Sequence, residues 1–161
     1  MSFIKKLFGK NKPSPEDKIG ECIKSMVEIC SEYIGFDNSE VDKIYIFATI
    51  EESQYVNYSY LINRELIKKH KINDFLSKKI NADSQVQFQV LKICNNEVKK
   101  IVEIFENENR EMFMHFKVIY DVKTKKMDTS FDYNSLLIGT ELMPQDIEED
   151  WIKKITIANK G

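Results

Sequence analysis

The chain has 161 residues, the length of one ordinary domain, and its 24 basic and 26 acidic side chains leave a net charge of −2. That near-balance argues against a globally basic nucleic-acid binder and against an acidic disordered tail. With 5 glycines and 3 prolines, and no two glycines at G-x-G-x-x-G or Walker spacing, the collagen-like, Gly-rich and phosphate-loop classes are excluded.

Residues 1–14 read as an N-terminal arm. Its Phe3-Ile4-Lys5-Lys6-Leu7-Phe8 run is amphipathic but too short for strong membrane binding. It lacks the apolar stretch of ~7–15 residues of a secretory leader, so none is expected. No window approaches ~18 apolar residues, so stable membrane insertion is not expected either. Residues 15–161 are expected to form one α+β domain. It opens with Ser14-Pro15-Glu16-Asp17, which has a capping Ser, a Pro at the first helical position and acids in the first turn. Ile19, Cys22, Ile23, Met26, Val27, Cys30 and Ile34 then recur at helical spacing, and Gly35 closes a helix over 15–34.

Residues 43–50 alternate, with Ile44, Ile46, Ala48 and Ile50 opposite Tyr45, Phe47 and Thr49. A polar turn, Glu51-Glu52-Ser53-Gln54, leads to a second strand over 55–62, and the short connection makes an antiparallel hairpin. Residues 63–82 suggest a short element followed by a turn at Asn73-Asp74. Asp83-Ser84 then caps a helix to about Glu106, with Val86, Val90, Leu91, Cys94, Val98, Ile101, Val102 and Phe105 on its apolar side. A second hairpin pairs 111–121 with the Met127–Tyr133 run, and puts Phe113, His115, Lys117 and Ile119 on its weaker face. Pro144 opens a last helix bearing Ile147, Trp151, Ile152 and Ile155. The order α-β-β-(β)-α-β-β-α predicts an antiparallel sheet of four to five strands with helices packed on one face.

The chain offers little for catalysis. Cys22, Cys30 and Cys94 are an odd number without C-x-x-C spacing, and read as small buried hydrophobes in a reducing cytoplasm. The two histidines lie far apart, so no metal site and no cofactor are expected. His115 reads as a half-exposed strand filler rather than a base. The basic run Arg64, Lys68, Lys69, His70, Lys71, Lys78 and Lys79 carries one aromatic, Phe75, and reads as a solvated surface without direct nucleic-acid binding. The acids are more organised. They gather at Glu51 and Glu52, on the last strand at Asp128 and Asp132, and in the final helix at Glu148, Glu149 and Asp150. Such a patch suits a basic protein partner.

Three stretches resemble the YezG-like immunity proteins, antitoxins that neutralise bacterial toxins. Lys43-Ile44-Tyr45-Ile46-Phe47-Ala48 is similar to the family's strand after its first helix. Phe131-Asp132-Tyr133-Asn134-Ser135-Leu136 resembles its F-x-Y-[DN]-x-L run. Pro144, the acids after it and Trp151 resemble its P-x-x-x-E-x-x-x-W-like tail. Glu148-Glu149-Asp150 depart from the usual acid-basic pair there, and the N-terminal arm is extra. The resemblance implies a non-catalytic, stoichiometric inhibitor, monomeric or weakly dimeric, that blocks a cognate toxin such as a basic nuclease. The contacts expected are Asp128 and Asp132 first, then Glu148, Glu149 and Asp150, with Glu51 and Glu52 at the hairpin turn. Phe131, Tyr133 and Trp151 are expected in the core. A secretion-chaperone-like adaptor, binding an effector as a dimer, is the second reading.

Overall fold

The computed structural model describes residues 12–160, with side chains as far as Ala158. Most of the N-terminal arm, including the Phe3–Phe8 run, lies outside the described residues. Helix α1 spans Pro15–Tyr33, and Ser14 caps it reciprocally: its hydroxyl accepts from Asp17 N–H, and the Asp17 carboxylate accepts from Ser14 N–H, each at 3.1 Å. Gly35 follows with φ +85°, the left-handed position that ends a helix at low cost.

Strands β1 (Lys43–Thr49), β2 (Tyr55–Ile62) and β3 (Glu65–Lys68) form a meander, and β3 runs into a 3-10 turn over Lys69–Asp74. Helix α2 spans Ser84–Asn107; Asp83 precedes it, but its side chain makes no cap hydrogen bond. Strands β4 (His115–Asp121) and β5 (Met127–Asp132) form the second hairpin, and α3 covers Pro144–Lys160. All pairings are antiparallel, and the sheet order is β3-β2-β1-β4-β5. The expected α+β class, element order and sheet are therefore present.

Helices α1 and α2 pack against one face. Ile44, Ile46 and Ala48 of β1, Val56, Tyr58 and Tyr60 of β2, and Phe116 and Val118 of β4 are buried there with Met26, Cys30, Cys94 and Ile101. Phe105, Phe113, Phe116 and Phe131 add an aromatic cluster with ring centroids 5.0–5.6 Å apart; such pairs each add about 0.5–1.5 kcal/mol beyond area burial. The three cysteines are free and buried, as expected of small hydrophobes.

Helix α3 packs on the opposite face, which corrects the expectation of helices on one face only: the Trp151 ring stands 5.9 Å from Tyr45 and 6.2 Å from Phe47. The reason is in β1: every residue from Ile44 to Thr49 is buried, so both faces of this central strand need a lid. β4 begins at His115, four residues later than the alternation suggests, and Phe113 therefore enters the helix-side core instead of the face it would take in an unbroken strand. The expectation of Tyr133 in the core is also corrected. It lies just past β5 and is 42% exposed, while Phe131 is partly buried against the core and Trp151 covers the second face. Among the described residues, no helix is long and apolar enough to cross a membrane.

Candidate functional site

The second face of the sheet carries the unusual chemistry. The hairpin turn after β1 folds Glu51 inward, and the Glu51 N–H donates to Thr49 Oγ1 at 3.1 Å. Its carboxylate meets the start of the β5–α3 connection. Leu136 N–H donates to Oε1 at 2.9 Å, Ile138 N–H to Oε2 at 2.9 Å, and Leu137 N–H to both oxygens at 3.1–3.2 Å. The Ser135 hydroxyl donates to Oε2 as well. Glu51 is 3% exposed. Burial by itself would raise its pKa, but the Ser135 hydroxyl and the three backbone N–H groups outweigh that and hold it at about 2.

His115 lies beside this clamp and is fully buried, so the half-exposed strand filler expected from sequence is corrected. Its Nε2 stands 3.2 Å from Glu51 Oε1, an ion-pair distance whose geometry falls short of a hydrogen bond. Burial pushes the imidazole pKa down, against the pull of the Glu51 carboxylate, and keeps the ring neutral near pH 7. The ring stacks on Phe47 with centroids 6.1 Å apart. Glu51 and His115 form an acid–base pair closed to solvent, and the Glu51 carboxylate alone pins the segment that follows β5.

That segment is a shaped loop. Leu137 is fully buried, and its C=O accepts from Thr140 N–H at 3.0 Å across a turn with Gly139 at φ +80°, the positive φ of a type II turn. Around this anchor, Tyr133, Leu136, Ile138, Leu142 and Met143 are all exposed, Ile138 at 66%. Single exposed apolar residues are ordinary, but here five fall within one connection between β5 and α3.

A second clamp holds α3. Glu148 Oε1 accepts from the Tyr55 hydroxyl at 2.6 Å and from Asn57 Nδ2 at 3.1 Å, and Lys69 Nζ donates to Asn57 Oδ1 at 2.5 Å. The Lys69 ammonium also lies 5.3 Å from the Tyr58 ring centroid. Burial raises the Tyr55 pKa, and the adjacent Glu148 carboxylate raises it further.

The seven acids proposed as contacts thus divide. Glu51 and Glu148 are buried and committed inside the fold, which corrects their assignment as contact residues; Glu148 is 5% exposed. Glu52, Asp128, Glu149 and Asp150 are exposed. Asp132 is half-buried, 3.4 Å from Lys117 Nζ, and that ammonium stands 5.9 Å from the Trp151 ring centroid. Asp128, Ser130 and Asp132 pair in register with Ile119, Lys117 and His115, so they share the face that α3 covers. The fold therefore brings the β5 and α3 acids to one side of the sheet, and the hairpin-turn glutamate becomes their anchor instead of their neighbour.

One feature of this region is visible in the sequence itself. From Met127 to Ile152 there are seven acids (Asp128, Asp132, Glu141, Asp146, Glu148, Glu149 and Asp150) and no Lys or Arg. The exposed apolar loop sits in the middle of that stretch. Elsewhere, a groove of about 380 Å³ runs between α1 and the β4–β5 turn, lined by Val27, Ile34, Phe36, Tyr120, Val122 and Met127 with Lys24, Glu28 and Lys125 at its margin. Among the described residues, no group of three or more His, Cys, Asp or Glu is placed to hold a metal ion. No protein-family model matches the chain, and no curated protein matches its sequence.

Proposed function

We propose that the chain is an immunity protein that binds and neutralises a bacterial protein toxin by stoichiometric blockade in the cytoplasm. The observation that carries this reading is the pinned apolar loop, Tyr133 to Met143, set within a segment of seven acids and no base. Protein interfaces concentrate binding energy in a dry apolar centre ringed by polar residues, and opposite charge on the rim steers encounter and suppresses wrong partners. A loop fixed before binding also loses little conformational entropy when a partner closes over it. The Phe131–Leu136 run that resembles the YezG-like immunity proteins leads directly into this loop, and Ser135 and Leu136 of that run donate to Glu51.

The toxin that fits is a basic nuclease, because a groove that holds nucleic acid must itself be positively charged. Blocking that groove requires no catalysis by the inhibitor. The test is copurification with basic toxins encoded beside this chain, followed by a toxin-activity titration. A 1:1 complex whose activity falls to zero at equivalence supports the reading. A chain that copurifies with no toxin, or that carries a secretion effector as an obligate dimer, overturns it.

A further inference from the structure

We propose that the open edge of β5 is a strand-addition site, which takes an extended segment of the partner with basic residues at positions i and i+4. The proposal rests on the immunity reading for the partner's identity, and on the sheet's own geometry for the mode of binding. β5 ends the sheet order, with no strand on its outer side among the described residues. The Asp121 N–H to Lys126 C=O bond at 2.8 Å sets the alternation of the β4–β5 ladder. Asp128, Ser130 and Asp132 therefore spend their backbone groups on β4. Met127, Thr129 and Phe131 turn theirs outward, a ready template for another strand.

Charge selects the occupant. In each two-fold antiparallel register that overlaps the strand with a second copy of itself, Asp128 comes opposite or diagonal to Asp128 or Asp132 of that copy, and like charges so placed repel. A basic strand meets the opposite condition. Residues four apart on it stand about 13 Å apart on one face, matching Asp128 and Asp132. The apolar loop begins at Tyr133, one residue past the end of β5.

The experiment uses the full chain and two capped seven-residue peptides of alternating Thr and Val. One has Lys at its second and sixth positions, and the other has Glu there. Binding is followed by titration and by amide hydrogen exchange. The Lys peptide is expected to bind, more tightly at low salt, and to slow exchange at the N–H groups of Met127, Thr129 and Phe131. The Glu peptide should bind at least about tenfold more weakly. Thr129→Pro removes an outward N–H and no donor to β4, which an edge strand tolerates, and should weaken the Lys peptide by about tenfold or more with an unchanged circular dichroism spectrum. Should that variant unfold, a Lys peptide N-methylated on its pairing side makes the same test on the native chain. No binding at millimolar peptide, equal binding of both peptides, or protection elsewhere than this edge overturns the proposal. A cognate toxin that binds Thr129→Pro with native affinity sinks strand addition and leaves the immunity reading intact. Peptide addition at β5 without any neutralised toxin does the reverse.

Discussion

On one face of the sheet, Ile44, Ile46, Phe116 and Val118 meet α1 and α2 mainly through apolar contacts. On the other, Tyr45 and Phe47 meet Trp151, but the fixing points are two buried carboxylates, Glu51 and Glu148. The contrast has a physical cause. Two long helices offer enough apolar area for burial alone to hold them. A loop of about ten residues whose apolar side chains mostly face water offers only Leu137, so its position has to come from directional bonds. The first face makes the domain stable; the second holds one exposed segment in a set shape.

The sharpest way to break the first face is Phe116→Ala. The ring is fully buried and packs against Phe113 and Phe131. Its loss should cost about 3–5 kcal/mol in denaturant unfolding. Glu51→Gln should cost about 3 kcal/mol, because the amide presents donors to backbone N–H groups that need an acceptor. Unlike Phe116→Ala, it should also speed hydrogen exchange selectively at Leu136, Leu137 and Ile138. Uniform exchange loss would show that the two faces unfold as one.

Acid should tell the faces apart as well. The Glu51 pKa falls from an ordinary 4.5 to about 2 on folding. Below about 4.5 the unfolded chain takes up a proton that the folded chain refuses, so stability is lost progressively as pH falls toward 2. His115 is also depressed from 6.5, so its contribution is present above that pH and declines as pH falls below it. The free energy of unfolding, measured from pH 7 to pH 3, should decline along this path, and Glu51→Gln should flatten the lower part. A smaller effect is expected at the second clamp. Tyr55→Phe removes one of the two donors on Glu148 Oε1 and should cost about 1 kcal/mol, with the change confined to α3.

The sequence made the helix-side face legible because its signals are local. The α1 stripe from Ile19 to Cys30 and the β1 alternation each repeat within one element, and the bounds of β2 follow from the turns on either side. The second face depends on contacts about ninety residues apart, Glu51 to Leu136 and Tyr55 to Glu148. Nothing in the spacing around Glu51 distinguishes it from Glu52, which stays exposed one residue later. The burial of His115 is hidden for the same reason: strand alternation says which way it points, but not that Glu51 and Phe47 will enclose it. The absence of Lys and Arg from Met127 to Ile152, by contrast, is local and legible in the sequence as a run of one charge sign.

The smallest stability effect belongs to the residue on which the functional contrast turns. Ile138 donates its N–H to Glu51 Oε2 at 2.9 Å, yet its side chain is 66% exposed. Ile138→Ser keeps the backbone bond and removes only the exposed apolar group, so unfolding should stay within about 0.5 kcal/mol of wild type. If the pinned loop is the centre of an interface, toxin affinity should nevertheless fall by at least about tenfold. The same substitution at Ile157, exposed far along α3, should leave affinity unchanged. Equal effects at the two positions would mean that exposed apolar area in general, and not the Glu51-held shape, attracts the partner. Loss at Ile138 alone would tie the rigidity of the second face to its use.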